Sequence, residues 1–274
     1  MAKSVEEEVE RMKALEARIK APSIWGRVQC GLRFEDLQDR RYEEAVKFLK
    51  THYLTEEITY RSVKIVDDKE GTDEFIHQAR IWMKDKMSIA VVKEGTDKLV
   101  GLLIMRIQEK SAHSRTFSRV KIAYNKLYST VTTFNNEVEK PVDVFDRLGV
   151  RRYLKIYVFA LKPRYRHRGL AKELLKAAIA LCESASVPAI TGLFFTARGQ
   201  QIAEELGFQK FHEIYYVRYL IDDEIVFWDT GLGNYGCALM GYRLPSVEEP
   251  MEIKAQASSR FNIQPADEDE QEQS

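Results

Sequence analysis

The sequence lacks any run of about 18 uninterrupted apolar residues, the length that a membrane-spanning helix needs. We therefore expect no membrane span, and the acidic start of the chain does not have the layout of a signal peptide. An excess of one charge is also missing, since 42 basic residues balance 42 acidic ones. This balance argues against a nucleic-acid-binding protein, which usually carries a basic excess.

Cysteine is scarce as well. The chain has three cysteines, an odd number without paired spacing, so neither structural disulfides nor a zinc site is expected. The five histidines show no spacing typical of metal ligands, and we expect no metal. We predict that Cys30, Cys182 and Cys237 are buried thiols of a cytoplasmic protein, because the cytoplasm is reducing.

Composition divides the chain into three parts. Residues 1–22 form a predicted amphipathic helix, with apolar residues at helical spacing between charged ones. Residues 23–245 carry the other strand and helix patterns and are expected to form a single domain. Residues 246–274 are polar, acidic and non-periodic, which predicts a disordered tail. The N-terminal helix or the tail could bind a partner protein.

Helix and strand patterns mix along the middle part, with hairpins near both ends, and predict a mixed α/β fold. Strands are predicted at residues 24–34, 87–94, 98–108, 153–161, 188–195, 211–221 and 235–244. Helices are predicted at residues 36–54, 71–86, 117–136, 169–184 and 197–208. Asp36 is the expected N-cap of the first of these helices, and Thr72 or Asp73 of the second. Tryptophans are expected in the core.

A basic junction lies between the strand at 153–161 and the helix from about Gly169. Residues 151–172 contain eight Arg or Lys residues and no Asp or Glu. The first N–H groups of a helix lack internal partners and carry partial positive charge, which makes a helix start an anion site. Gly169 has no side chain, so a phosphate can approach the backbone. We therefore predict a phosphate-binding loop here.

The pattern Arg166-x-x-Gly169-x-Ala171 resembles the acyl-CoA pyrophosphate loop of the GNAT superfamily of N-acetyltransferases. The late "EELGF", with Leu206-Gly207-Phe208, matches the end of that superfamily's last helix. The early "VKFLKTHYLTEEI" narrows the resemblance to insect arylalkylamine (dopamine-type) N-acetyltransferases, over about residues 34–244.

The resemblance implies a twisted, mostly antiparallel sheet in which one parallel pair of strands splays apart. It implies acetyl-CoA, or another acyl-CoA, as the donor and a small primary amine as the acceptor, without a metal. The pantetheine arm would lie along one strand and the pyrophosphate on the loop after it. The implied donor-binding residues are Phe159, Ala160, Leu161, Arg166, His167, Arg168, Gly169, Leu170 and Ala171.

For catalysis, the resemblance places the general base in the acidic pair, at Glu57, with Glu56 beside it. The family usually continues this pair with Pro and Leu, whereas this chain has Ile58 and Thr59. The family's serines before the last helix are absent from "FFTARGQQ", where Thr196 is the hydroxyl that could replace them. The tyrosine that often protonates the leaving thiolate is absent before "LGF".

Three alternatives remain open at the level of sequence. In the first, the acceptor is an amino acid or the acyl donor has a longer chain. In the second, the chain is a catalytically silent acyl-CoA-binding or partner-binding module. In the third, it acetylates protein tails.

The aromatic residues in 109–148 are expected to belong to the core rather than to the wall of a substrate pocket. They are Phe117, Tyr124, Tyr128 and Phe134.

Overall fold

The computed structural model describes residues 22–110, 123–166, 168–245 and 247 of the chain. Residues 1–21, and all of the predicted tail except Val247, lie outside this part, so the two predicted extensions stay predictions. Within the described ranges, none of the helices is both long and apolar enough to cross a membrane.

Eight strands of the described chain form one central sheet with the order β1-β2-β3-β4-β5-β6-β10-β7, and β8 pairs with β9 in a separate hairpin. The strands are β1 Ile24–Val28, β2 Leu32–Asp36, β3 Ile89–Lys93, β4 Lys98–Glu109, β5 Arg152–Leu161, β6 Ala189–Phe194, β7 Gln209–Tyr215, β8 Leu220–Ile221, β9 Glu224–Ile225 and β10 Gly236–Arg243. Only β5 and β6 pair in parallel among these described strands. This arrangement confirms the predicted mixed α/β fold.

Helices cover both faces of the sheet. They are α1 Tyr42–Phe48, α2 Ile58–Ser62, α3 Lys69–Met83, α4 Lys126–Glu139, α5 Val144–Leu148, α6 Leu170–Ser184 and α7 Ala197–Glu205. The wider helical turn Leu49–Tyr53 extends α1. One hydrophobic cluster lies against α1, α3, α4 and α5, and a second lies against α6 and α7. The sheet therefore forms the middle of three layers, with apolar side chains buried on each side.

Several helix starts follow from their capping residues. The carboxylate of Asp68 accepts a hydrogen bond from Gly71 N at 3.1 Å and starts α3. The amide oxygen of Asn125 accepts one from Tyr128 N at 3.0 Å and starts α4. Side chains of this kind satisfy N–H groups that have no partner inside the helix.

The predicted helix beginning at Asp36 is wrong at its start. Asp36 ends β2, and its carboxylate accepts hydrogen bonds from Ser23 N at 2.9 Å and Trp25 Nε1 at 2.6 Å. The helix begins only at Tyr42, because Asp36 holds the first hairpin together instead of capping a helix.

Four further predictions need correction. The strand predicted at 24–34 is the hairpin of β1 and β2, and the one at 211–221 is interrupted by a 3-10 turn at Tyr216–Arg218. The cap of α3 is Asp68 rather than Thr72 or Asp73. Cys30 is exposed, although Cys182 and Cys237 are buried free thiols as predicted.

Two aromatic predictions also differ from the structure. Trp228 is 64% exposed and Tyr124 is 93% exposed, so neither belongs to the core. Tyr128 and Phe134 are buried as expected. Phe117 lies outside the described residues.

The parallel pair β5 and β6 is joined over a short distance. Cα partners run from Leu154 opposite Ile190 to Ile156 opposite Gly192, whereas β5 continues to Leu161. On its other side β5 stays paired with β4 as far as Leu161. The register there skips Tyr157, a bulge that bends the strand at the point where the parallel pairing ends. The two strands therefore diverge, and the edge of β5 that faces β6 opens.

Candidate active site

A cavity of about 530 Å³ lies where β5 and β6 diverge. Its lining comes from four places: the end of α1 with the start of α2, the second half of β5 with the start of α6, the end of β6 with the start of α7, and the loop before β10. The lining residues on which the argument depends are Glu56, Glu57, Arg61, Phe159, Arg166, Gly169, Thr196, Leu232 and Asn234.

The first turn of α6 is open to the cavity at Gly169. This residue has φ +75°, a left-handed conformation that favours glycine, and an added Cβ would meet nothing within 4 Å. Among the residues that the structure describes, no side chain caps this helix. Its first N–H groups therefore face a space that an anion can enter, with the helix dipole adding positive potential. Leu170 itself is buried in the core beneath the loop.

Arg166 ties this loop to two neighbours. Its Nε donates to the Leu161 carbonyl at 3.1 Å, and its Nη1 forms an ion pair with Glu56 Oε2 at 3.1 Å. The predicted phosphate-binding arginine thus contacts the acidic pair across 110 residues of sequence. His52 lies in the same wall, where burial and the charges of Lys162 and Arg166 lower its pKa and Glu56 opposes the shift.

Glu57 is held at the start of α2. Its Oε2 accepts hydrogen bonds from Thr59 N and Tyr60 N, each at 3.0 Å, and from Thr59 Oγ1 at 2.6 Å. Its Oε1 is buried and has no hydrogen-bond partner among the described residues. The hydrogen bonds to Oε2 therefore fix the carboxylate in place, while the lone pairs of Oε1 stay available to accept a proton.

The surroundings of Glu57 make its carboxylate more basic than usual. Burial raises the pKa of Glu57, and the hydrogen bonds from Thr59 and Tyr60 and the charge of Arg61 oppose the rise. Burial also raises the pKa of Tyr53 and of the Cys237 thiol well above their ordinary values, with the nearby Glu57 charge contributing. These two neighbours therefore hold their protons more tightly than usual, and Glu57 is the carboxylate of this group, with its pKa raised by burial.

Thr196 lies across the cavity as the N-cap of α7. Its Oγ1 accepts from Gly199 N at 3.1 Å, which leaves the hydroxyl proton free to be donated elsewhere. Beside it, Asn234 Oδ1 accepts from Ala197 N at 3.0 Å. The loop before β10 is thus attached to the same helix start.

The cavity brings together most of the residues expected from the sequence. Glu57, Thr196, Phe159, Ala160, Leu161, Arg166, Gly169 and Ala171 all line it. Arg168 is exposed and outside this lining, Leu170 is in the core, and His167 lies outside the described residues. Lys172, a cation of the predicted basic junction, also lines the cavity. The lining residues that the sequence did not indicate include His52, Arg61, Arg198, Leu232 and Asn234. The one local signal for the last two is the glycine pair in "GLGN".

Comparison with known protein families identifies the family of this chain. The sequence matches the model of the Acetyltransferase (GNAT) family over residues 52–208, more than half of the chain. The chain belongs to this family. It is accordingly an acyltransferase enzyme, and the cavity described above is the candidate active site of a GNAT protein.

Solved structures with the same fold include three insect proteins. One assigned as arylalkylamine N-acetyltransferase 7 from the yellow fever mosquito Aedes aegypti is 24% identical, with a TM-score of 0.71 over 81% of this chain and 95% of that one. Arylalkylamine N-acetyltransferase 2 from Aedes aegypti is 17% identical, with a TM-score of 0.71 over 78% and 99%. A polyamine N-acetyltransferase from Drosophila melanogaster is 13% identical, with a TM-score of 0.65 over 78% and 100%. No curated protein matches the sequence significantly.

Proposed function

We propose that this GNAT protein is an acetyl-CoA-dependent N-acetyltransferase that acetylates a small arylalkylamine-like primary amine by direct attack in a ternary complex. The observation that carries the proposal is the Glu57 carboxylate. Hydrogen bonds fix one of its oxygens, and the other is buried without a partner in the described chain, in a cavity at the diverging strands.

The donor side of the cavity fits an acyl-CoA. A pyrophosphate needs backbone N–H donors and cations, and the loop from Arg166 to Ala171 offers an open glycine and an uncapped helix start. A pantetheine arm carries amide groups, and the edge of β5 at Phe159, Ala160 and Leu161 has lost its β6 partner. These residues would hold the donor, and Lys172 adds a further cation on the wall.

The acceptor must lose a proton before it can attack. An alkylammonium group has a pKa of about 10, as in lysine, so roughly one molecule in a thousand is free base at pH 7. Glu57 accepts this proton through its unpartnered Oε1, directly or through a water, and burial makes it a stronger base than an ordinary carboxylate. The amine nitrogen then bonds to the thioester carbonyl carbon, and the C–S bond breaks.

The departing group is a thiolate. An ordinary thiol pKa of about 8.5 makes it a fair leaving group without a strong acid. Thr196 is the candidate relay for the last proton: its hydroxyl accepts from Gly199 N, so it can pass its own proton to the sulfur while it takes up the second proton that the nitrogen sheds as the amide forms.

The cavity as a whole supports an aromatic acceptor. Its lining is largely apolar and aromatic, which suits the ring of an arylalkylamine better than a chain of charged amines. The aromatic residues of the lining are Tyr53, Tyr157, Phe159, Phe194 and Phe195. Arg61, a cation that could hold an amino-acid carboxylate, is already paired with Asp229 at 2.8 Å.

The free thiols fit a reducing compartment, and we propose that the protein is located in the cytoplasm.

The proposal is tested by acetyl-CoA binding in calorimetry and by thiol release with arylalkylamines, amino acids and polyamines. Gly169→Glu should abolish acetyl-CoA binding, because it puts a carboxylate into the phosphate site. Gly31→Glu is the matched control: Gly31 has φ +72° and open space around its Cβ position, but it lies in the first hairpin. Binding lost in both variants would contradict the phosphate-loop assignment.

Glu57→Gln should keep acetyl-CoA binding and reduce turnover about 10²- to 10⁴-fold, the range for a general base. Tight acetyl-CoA binding by the unmodified protein without turnover of any amine would favour a silent acyl-CoA-binding module instead. No binding at all would overturn the donor site and the function that depends on it.

A further inference from the structure

The loop from Asp229 to Asn234 forms one rim of the cavity and is held at both ends. At its start, Asp229 Oδ2 pairs with Arg61 Nε at 2.8 Å, and the Asp229 carbonyl accepts from Arg61 Nη2 at 2.6 Å. At its end, Asn234 accepts from Ala197 N and donates to the Thr230 carbonyl at 2.9 Å. The helix α2 that carries Arg61 also carries Glu57 as its N-cap.

Between these anchors lies Leu232, flanked by two glycines. Gly231 has φ +72° and Gly233 has φ +81°, the left-handed conformation that other residues adopt only with strain. An added Cβ at Gly233 would meet nothing within 4 Å. This glycine is therefore required by the backbone conformation and not by tight packing.

The side chain of Leu232 is fully exposed, at 105% of its reference area, although the residue lines the cavity. A single exposed leucine is common on protein surfaces and needs no explanation by itself. This one lies at the mouth of a largely apolar cavity, on a loop whose two ends are fixed and whose middle has glycine on either side. An apolar ligand group bound in the cavity would give the Leu232 side chain an apolar surface to pack against.

We propose that Leu232 closes over the apolar part of the acceptor and is a specificity-determining residue that favours arylalkylamines over aliphatic polyamines. The inference depends on the proposed function, since it names the acceptor class of the same site. Leu232 acts by contact with the ring of the acceptor and takes no part in proton transfer. Arg61 and Asp229 set the position of the loop relative to Glu57.

The test compares 2-phenylethylamine with putrescine, using kcat/KM at saturating acetyl-CoA. Leu232→Ser should lower the ratio of the two kcat/KM values at least about tenfold, through a higher KM for 2-phenylethylamine, because one buried leucine contributes roughly this much. Leu232→Met should keep the ratio within about twofold. Because the side chain is fully exposed, neither change threatens folding.

The matched control is Leu220→Ser. Leu220 is 49% exposed, lies on the β8–β9 hairpin and does not line the cavity. Calorimetric binding of 2-phenylethylamine to the CoA complex gives a second readout that does not need turnover, and Leu232→Ser should weaken it to a similar extent. An unchanged ratio and unchanged binding in Leu232→Ser, with normal turnover by the unmodified protein, would overturn this inference alone. An equal loss in Leu220→Ser would also overturn it. Absence of turnover with every amine would overturn the proposed function and this inference together.

Discussion

Replacing Thr59 by valine isolates one hydrogen bond of the Glu57 carboxylate. Thr59 is fully buried, and its Oγ1 donates to Glu57 Oε2 at 2.6 Å. Valine has nearly the same shape, so the change removes the hydroxyl and leaves the backbone donors of Thr59 and Tyr60 in place. The N-cap of α2 is therefore preserved while the charged carboxylate loses one donor.

The sign of the expected change follows from which form the hydroxyl stabilises. A donor to the carboxylate favours the ionised form, and the Thr59 hydrogen bond lowers a pKa that burial has raised. Its removal should raise the pKa of Glu57 further, so a higher pH is needed to generate the base. A hydrogen bond to a charged group contributes about 1.5–3 kcal/mol, and one pH unit corresponds to 1.36 kcal/mol. We expect the acid limb of kcat/KM to move to higher pH by about one to two units.

The assay is the pH profile of kcat/KM for the amine with acetyl-CoA saturating. The matched control is Thr191→Val, since Thr191 is also buried but donates to the neutral Met240 carbonyl at 2.9 Å, so its profile should not move. Thermal unfolding identifies any variant that fails to fold. A folded, active Thr59→Val enzyme with an unmoved acid limb would refute Glu57 as the titrating base.

Three further changes test other contacts. Glu57→Gln should be at least as stable as the unmodified protein near pH 7, because burial raises the pKa of Glu57 in the folded state and its ionisation then opposes folding. The difference should shrink as pH falls through the folded-state pKa and be gone below the unfolded-state pKa, and a lower Tm at neutral pH would contradict this. Glu56→Gln removes a negative charge and the ion pair that holds half-exposed Arg166, so it should tighten acetyl-CoA binding about two- to fivefold in calorimetry. Weaker binding would indicate that Glu56 positions the loop. Thiol titration of the native protein should label Cys30 rapidly and the two buried thiols only after unfolding, and a second fast thiol would contradict their burial.

The loop that we propose to bind phosphate could be located from the sequence because its signal is local. An apolar strand, a proline that ends it, a cluster of cations and a glycine lie within about 20 residues, and the structure places the first turn of α6 at the end of β5. The same holds for Thr196, which is expected at a helix start and caps α7. Short-range patterns of this kind report backbone conformation directly.

The contacts around the proposed acceptor site could not be predicted from local sequence patterns. The contact between Arg61 and Asp229 joins residues 168 positions apart, and that between Arg166 and Glu56 joins residues 110 apart. Arg61 and Asp229 have ordinary places in polar stretches, so the sequence gives no reason to prefer them over their neighbours. The motif that identifies Arg166 does not indicate that Glu56 is its partner. Asp36 is an example of a local pattern that gave a wrong prediction. Its sequence context is typical of a helix cap, but its carboxylate instead accepts hydrogen bonds from Trp25 and Ser23.

Ile58 and Thr59 follow the acidic pair in place of the proline and leucine that are usual in the arylalkylamine N-acetyltransferases, and the structure explains the effect of both differences. The bonds that hold Glu57 come from Thr59 and Tyr60, so the N–H of Ile58 is not needed, and isoleucine in place of proline leaves the cap intact. Threonine in place of leucine, by contrast, adds the hydroxyl that contacts the carboxylate at 2.6 Å. Burial and this hydroxyl act on the pKa of Glu57 in opposite directions. Residue 59 is therefore one position at which this chain adjusts the pKa of Glu57, the proposed base, without any change to Glu57 itself.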